Sequence, residues 1–146
     1  RENRFPFNRR QGFNLLVYLA DKSFMKKIVI IEDDTELQRS LRDSLSADFS
    51  VFQAYDGESG LKAVFETKPD LIVLDLILPK KSGFVALKEI KEKAEFQEIP
   101  VVILSNLEGK KEVEKAMSSG AEIYLVKAYY TLDEITQVVK NILNKK

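Results

Sequence analysis

The chain of 146 residues contains no cysteine and no histidine. Without cysteine, disulfides, thiolate metal sites and thiol nucleophiles are all excluded, and this fits a reducing compartment. Without histidine, Ser-His-Asp and Cys-His catalysis and histidine-ligated zinc sites are excluded as well. The chemistry open to this protein therefore rests on carboxylates, hydroxyls and lysines.

The sequence also lacks a long apolar run and an excess of charge of either sign. No apolar run approaches the roughly 20 residues that a membrane-spanning helix needs, so no span is predicted. The 23 basic residues balance 23 acidic ones, which leaves no electrostatic footprint for nucleic acid. With 45% hydrophobic and 32% charged residues, the composition predicts one globular domain.

Residues 1–24 differ in charge from the rest of the chain. They hold five basic and two acidic residues, which leaves 18 basic and 21 acidic residues in 25–146. Met25 has the context of a natural start and directly precedes an apolar run. We interpret 1–24 as a leader, cloning-derived residues or an over-extended reading frame, and 25–146 as the domain. The alternative is that the apolar run 15–20 forms an ordered element that docks on the domain or on a partner.

From Met25 onward, short apolar runs alternate with helical periodicity. Strands are predicted over 28–31, 51–54, 71–74, 101–104 and 123–126, and helices over 37–45, 57–65, 83–93, 110–117 and 131–143. Apolar strands that alternate with helices indicate a parallel sheet covered on both faces. No G-x-G-x-x-G motif follows a strand, so a dinucleotide-binding enzyme is not favoured.

Two helix starts carry capping signals. Thr35 with Gln38, and Thr131 with Glu134, have the spacing of capping boxes. Asp34 is expected mainly to help cap the first helix, because a negative side chain suits the exposed amides there. The last helix is predicted to present five apolar residues to the core: Leu132, Ile135, Val139, Ile142 and Leu143.

Polar side chains follow four of the predicted strands. They are Glu32, Asp33, Asp75, Ser105 and Lys127. In a doubly wound sheet the carboxyl ends of the strands meet at one edge, so these groups should converge. Clustered carboxylates need a cation, and oxygen ligands alone suit Mg²⁺ best, while a hydroxyl and an ammonium suit phosphoryl oxygens. Each residue taken singly has a simpler explanation as a helix cap or a solvated turn.

Four segments together resemble the receiver domain of bacterial two-component response regulators, of the stand-alone, chemotaxis-regulator-like kind. They are IVIIEDD (28–34), DLIVLDLILPKKSG (70–83), IPVVILSN (99–106) and GAEIYLVK (120–127), and the resemblance covers 25–146. It implies a flavodoxin-like, doubly wound α/β fold with a five-stranded parallel sheet of order 2-1-3-4-5 and five helices in three layers. It also implies that a phosphoryl group arrives from a phosphohistidine on a sensor histidine kinase or a histidine phosphotransfer protein.

The resemblance assigns a metal site and a phosphoryl acceptor. Asp75 matches the phosphoacceptor, and Glu32 and Asp33 match the acidic pair that holds Mg²⁺ together with it. Asp33 and Asp75 are expected as direct ligands, and Glu32 is expected to act partly through water. The backbone carbonyl of Ile77 would complete the protein ligands of the metal.

The resemblance also assigns the switch residues. Ser105 matches the switch hydroxyl, Lys127 the lysine that pairs with the phosphoryl group, and Tyr124 the aromatic switch. The simpler alternative for Tyr124 is a half-buried strand tyrosine that packs on a neighbouring helix.

Two departures from the family pattern bear on these assignments. The family usually has proline after its lysine, often in a cis peptide, whereas this chain has Ala128. A cis bond at a residue other than proline costs about 2.5 to 4 kcal/mol, so we expect a trans peptide or a strained loop, and a less certain position for Lys127. In this family the residues at the positions of Ile77 and Leu107 flank the path of the hydrolytic water. Both residues are apolar here, and this favours slow self-hydrolysis of the acyl phosphate.

Expectations about output follow from the end of the chain. Only three residues follow Leu143, so a protein that ends there is a stand-alone receiver, whereas an excised domain lacks its effector. The predicted partner face comprises the helix at 110–117, the Tyr124 strand and the last helix, together with Ala128, Tyr129 and Tyr130. We expect a cytoplasmic monomer or weak phosphorylation-dependent dimer that contacts neither nucleic acid nor membrane.

Two other functional classes remain open. A pseudo-receiver would keep the fold as an interaction module without phosphate turnover. A Mg²⁺-dependent phosphohydrolase would want an acidic group where Ile77 stands. The favoured interpretation is a receiver that catalyses only its own phosphorylation and dephosphorylation, and is not otherwise an enzyme.

Overall fold

Five β-strands alternate with five α-helices in residues 24–145, which are the part of the chain that the computed structural model describes. The strands are β1 (Lys27–Ile31), β2 (Ser50–Ala54), β3 (Leu71–Leu74), β4 (Val101–Ser105) and β5 (Ile123–Val126). The helices are α1 (Thr35–Leu45), α2 (Gly57–Thr67), α3 (Gly83–Glu92), α4 (Lys110–Ser118) and α5 (Leu132–Asn144). Short 3₁₀ turns lie at Ala94–Phe96 and Lys127–Tyr129. Apart from Phe24, the hypotheses about 1–24, including a docked element at 15–20, fall outside the described residues.

The five strands form one parallel sheet with the order β2-β1-β3-β4-β5. This confirms the predicted flavodoxin-like topology. β1 lies between β2 and β3, so Ile31 pairs with Ala54 on one side and with Leu74 on the other. The strand order reverses at this point, which places a crevice beyond the carboxyl ends of β1 and β3.

Alternate residues of each strand face opposite layers of helices. Ile28 and Ile30 pack in a cluster with α1 and α5, and Val29 and Ile31 pack in a second cluster with α2, α3 and α4. The helices contribute Leu41, Leu45, Ile135, Val139 and Leu143 to the first cluster, and Leu61, Val64, Ala86, Leu87, Ile90 and Ala116 to the second. Both faces of the sheet are therefore buried, as the apolar strands predict.

The caps of α1 and α5 have different outcomes. Thr131 and Glu134 form the predicted capping box of α5. The capping box predicted for α1 is wrong, because the Asp34 carboxylate caps that helix by accepting from two amides of its first turn. Gln38 lies on the same buried face as Leu41, and its side chain turns to the sheet instead.

Leu132 and Ser105 also differ from their predictions. Leu132 is 36% exposed, because the whole first turn of α5 faces solvent and burial begins only at Ile135. Ser105 is the last residue of β4 and pairs with Val126, so it does not follow the strand. Among the described residues, no helix has the length and apolar character needed to cross a bilayer.

Candidate functional site

Three carboxylates meet at the crevice between β1 and β3. Glu32 and Asp33 follow β1 and Asp75 follows β3, so their ligand oxygens all lie within 4.8 Å of one another. Glu32 is 2% exposed and Asp75 is 4% exposed, whereas Asp33 is open to solvent. Two buried acids and one exposed acid, all oxygen donors, form a set that suits a hard divalent cation.

Lys127 connects the two buried carboxylates. Its Nζ lies 2.9 Å from Asp75 Oδ2 and 2.7 Å from Glu32 Oε1. Burial of the ammonium lowers the pKa of Lys127, but the contacts with Glu32 and Asp75 outweigh burial and the pKa is raised. The Lys127–Ala128 peptide is trans, as are all peptide bonds of the described residues. The trans alternative is therefore the correct one, and alanine at 128 does not keep the lysine from the carboxylates.

Glu32 is the electrostatically costly member of the site. Burial raises its pKa from 4.5 to about 7, and the nearby Asp75 charge adds to this rise, while Lys127 and the Asp34 amide oppose it. Oε2 accepts from the Asp34 amide at 3.0 Å. Oε1 is buried and lies 2.7 Å from the Lys127 ammonium, so the two side chains form a buried ion pair. A buried carboxylate beside two further acids fits a cation ligand.

The backbone of β3 fixes Asp75. Every residue of β3 is buried, and the amide of Asp75 donates to Ile31 of the neighbouring strand at 3.0 Å. The carboxylate then accepts from Lys127 through Oδ2 and from the Ile77 amide through Oδ1, at 3.2 Å. The Ile77 amide thus faces Asp75, and the role of its carbonyl as a metal ligand stays a prediction.

Two glycines hold the loop that follows Asp75. A Cβ on Gly83 would lie 2.1 Å from the carbonyl oxygen of Asp75, and one on Gly57 would lie 2.0 Å from that of Lys81. Both approaches are too close for any side chain. Between them Lys80 has a φ of 68°, a left-handed conformation that costs a residue with a side chain about 1 to 2 kcal/mol. The loop is therefore pressed between α2 and α3 at the acceptor.

Ser105 and Tyr124 meet at the loop that follows β4. The buried hydroxyl of Ser105 accepts from the Leu107 amide at 3.4 Å, and the Tyr124 hydroxyl donates to the Leu107 carbonyl at 2.5 Å. Burial raises the pKa of Tyr124, helped by the charges of Asp75 and Glu112 and opposed by the Ser105 hydroxyl. The ring also packs against the apolar cluster beneath α4, so the simpler packing interpretation of Tyr124 holds alongside its position at the Ser105 loop.

Tyr129 contacts the same loop at Glu108, the residue after Leu107. Its hydroxyl donates to the Glu108 carboxylate. Tyr129 and Tyr130 are both exposed, whereas Tyr124 is half-buried. The two neighbouring tyrosines therefore leave apolar area open on the predicted partner face, and their roles there stay predictions.

One residue of the site region was missed in the sequence. The Gln38 amide is fully buried and donates to the carbonyl of Glu32 at 3.1 Å. The available signal was its helical spacing from Leu41 and Leu45, which places a polar residue on an apolar face.

Comparison with known proteins agrees with this geometry. Residues 28–140 match the sequence model of the response regulator receiver domain. The transcriptional regulatory protein CiaR of Streptococcus pneumoniae is 38% identical over 121 residues, which cover 83% of this chain and 53% of CiaR. The sensor histidine kinase TmoS of Ectopseudomonas mendocina is 32% identical over 125 residues, which cover 86% of this chain and 13% of TmoS. The chain thus spans about half of one relative and a small part of the other.

Solved structures show the same fold. The Mn²⁺-bound form of response regulator Rcp1 is 29% identical with a TM-score of 0.68, covering 77% of this chain and 88% of Rcp1. The BeF₃-activated DrrB receiver domain is 28% identical with a TM-score of 0.74, covering 82% of this chain and 98% of DrrB. Because the family match extends over most of the chain, and the sheet order and strand-end acids agree with it, this chain belongs to the response regulator receiver domain family of two-component systems.

Proposed function

We propose that Asp75 accepts a phosphoryl group from a phosphohistidine on a sensor histidine kinase or a histidine phosphotransfer protein. The observation that carries this proposal is the position of Asp75 in a buried strand-end crevice, 2.9 Å from Lys127 and beside Glu32 and Asp33. The nucleophile is anchored by a rigid strand, and a cation is already paired with it. Phosphoryl transfer depends mainly on such positioning and charge neutralisation.

The metal in this proposal is Mg²⁺, held by Glu32, Asp33 and Asp75 with the Ile77 carbonyl as a further ligand. The oxygen-only donor set and the burial of Glu32 and Asp75 support it. The Mn²⁺-bound form of Rcp1 shows a related regulator with a divalent cation. When bound, the ion offsets negative charge on the attacking carboxylate and the incoming phosphoryl group.

The proposed reaction forms one bond and breaks one. A carboxylate oxygen of Asp75 attacks phosphorus, the P–N bond of the phosphohistidine breaks, and its electron pair stays on the imidazole nitrogen. Lys127 then exchanges its contact with Asp75 Oδ2 for one with a phosphoryl oxygen, since the carboxylate has lost its charge. Ser105 would donate its hydroxyl to the same group, and this movement would reposition the Leu107 loop and Tyr124.

The proposed output is a change in the affinity of a protein partner for α4, β5 and α5. The support is that Tyr124 and Tyr129 bind consecutive residues of the loop that joins Ser105 to α4. A movement of Ser105 would therefore be transmitted to this face through the contacts of the two tyrosines. The proposed function includes no catalysis on other substrates. A phosphohydrolase would have an acidic residue two positions after the nucleophile, and this chain has Ile77 there.

The test is phosphorylation by a small donor. We expect that acetyl phosphate with Mg²⁺ adds the mass of one phosphoryl group, measured by intact-protein mass spectrometry. Asp75→Asn should gain nothing, because the nucleophile is removed. Asp133→Asn, which removes an exposed acid at the start of α5, should gain as the wild type does. A folded wild type that binds Mg²⁺ and gains no mass would favour the pseudo-receiver instead.

A further inference from the structure

A fully buried glutamine on α1 touches three backbone carbonyls at once. Gln38 Nε2 lies 3.0 Å from the carbonyl oxygen of Ile30, 3.1 Å from that of Glu32 and 2.8 Å from that of Ala54. A buried amide persists only where its polar atoms find partners, and this one has acceptors on two strands. The position of this amide is therefore fixed by its contacts with the sheet and not by contacts with water.

The three carbonyls mark the point where β1 and β2 end. β1 ends at Ile31 and β2 ends at Ala54. The amide of Glu32, the residue after β1, donates to the Ala54 carbonyl at 3.0 Å. The Gln38 amide binds the same Ala54 carbonyl and the carbonyl of Glu32 itself. It thus continues the bonding between the strand ends, where the backbone turns into the acidic pair.

A second amide sets the orientation of the first. Gln53 of β2 donates from Nε2 to Gln38 Oε1 at 3.0 Å and to the Gln38 carbonyl at 3.1 Å. If the Gln38 amide were turned over, its oxygen would face three carbonyl oxygens and lose the donor of Gln53. The NH₂ group must therefore point to the strand ends.

The backbone held in this way carries two of the three carboxylates of the site. The Glu32 side chain is otherwise fixed by the Asp34 amide through Oε2 and by Lys127 beside Oε1. A shift of its carbonyl would move both Glu32 and Asp33 relative to Asp75, which belongs to a different strand. Groups that do not touch the metal but hydrogen-bond to its ligands commonly contribute a factor of about 10 to 100 to metal affinity.

We propose that Gln38 is a positioning residue for the cation site: its amide holds the strand end so that Glu32 and Asp33 face Asp75. The inference rests on the proposed function, since it concerns the same site. The decisive variant is Gln38→Met, which keeps an unbranched side chain of similar length and removes the hydrogen bonds of the side-chain amide.

The experiment measures Mg²⁺ affinity by isothermal titration calorimetry on metal-free protein, and the rate of phosphorylation by acetyl phosphate against Mg²⁺ concentration. Gln38→Met should bind Mg²⁺ about tenfold or more weakly. Its phosphorylation should need correspondingly more Mg²⁺ and approach the wild-type rate at saturation. Leu45→Ala is the matched control, because Leu45 is fully buried on the same helix but packs in the α5 cluster. It should lose stability and keep the wild-type Mg²⁺ affinity.

The outcomes separate the inference from the proposed function. Unchanged Mg²⁺ affinity in Gln38→Met, or an equal loss in Leu45→Ala, overturns the inference while the wild type still binds Mg²⁺ and is phosphorylated. A wild-type protein that neither binds Mg²⁺ nor is phosphorylated overturns both the inference and the proposed function. If Gln38→Met does not fold, Gln53→Met decides, because it removes the group that orients the amide. A severalfold loss of Mg²⁺ affinity there supports the positioning role, and no loss contradicts it.

Discussion

At the scale of single residues, Glu32 makes the stability of the metal-free protein depend on pH. Its pKa is 4.5 in the unfolded chain and about 7 in the fold, so the fold binds the proton more tightly. The resulting stabilisation is fully present below pH 4.5 and is lost as the pH rises through about 7. The loss amounts to at most about 3 kcal/mol.

This dependence can be isolated with a single substitution. Urea unfolding in the presence of a chelator should show the wild type losing stability relative to Glu32→Gln between pH 5 and pH 8. The amide has no charge to bury, so its variant lacks this contribution. A difference between the two proteins that is the same at both pH values would contradict the assignment to Glu32.

We expect Ile77 to limit the access of water to the proposed acyl phosphate. Its side chain is 60% exposed at the mouth of the site, two residues after Asp75, and its amide already donates to that carboxylate. Ile77→Asn places a polar group that binds water there. We expect phosphate loss to accelerate about tenfold, which equals a barrier lower by about 1.4 kcal/mol. The decay of the phosphorylated mass after removal of the donor measures it, with the exposed Val85→Asn of α3 as control. An unchanged lifetime would refute the shielding hypothesis.

At the scale of helices and strands, α2 ends in an unfavourable residue. Its C-cap is Lys68, with a left-handed φ of 51°, where glycine is normally preferred. Lys68→Gly should raise the free energy of unfolding by about 0.5 to 1 kcal/mol, because the strain of the side chain exceeds the entropy that glycine adds to the unfolded chain.

The matched control for Lys68→Gly is Lys62→Gly, at an exposed position inside the same helix. This variant should lose about 1 kcal/mol, since glycine in a helix interior is unfavourable. Urea unfolding of the two variants beside the wild type measures both changes. Losses of equal size would show that the conformation of Lys68 carries no strain.

The elements themselves could be predicted from the sequence because they depend on local patterns. Apolar runs bounded by polar residues gave the strands, and the reciprocal spacing of Thr131 and Glu134 gave the start of α5. The same spacing misled at Thr35, since Asp34 stands one residue earlier and its carboxylate binds the first-turn amides. A capping pattern does not reveal whether its last member faces solvent or the sheet, and Gln38 faces the sheet.

At the scale of the whole molecule, the sheet explains which parts of the site could be predicted. Parallel strands with their carboxyl ends at one edge bring Glu32 and Asp75 together wherever the order places β1 beside β3. The contact of Lys127 with Glu32 depends on the path of the chain after β5, and the Gln38 contacts depend on how α1 packs. The sequence predicts that Lys127 lies near the carboxylates, and the spacing of Gln38 from Leu41 and Leu45 indicates a buried face. Neither pattern specifies which atoms these two side chains contact, so the individual contacts were not predictable.

Because the carboxylates come from different strands, cation binding should stabilise the whole fold. In the unfolded chain Glu32 and Asp75 are not held together, so we expect Mg²⁺ to bind the folded state almost exclusively and to raise its stability by mass action. At a Mg²⁺ concentration 100 times the dissociation constant, the gain should be about 2.7 kcal/mol. Urea unfolding across a Mg²⁺ series measures it. Asp43→Asn, which removes an exposed acid of α1, should show the full gain, whereas Asp33→Asn should show little at the same concentrations. Equal gains in the two variants would place the cation elsewhere.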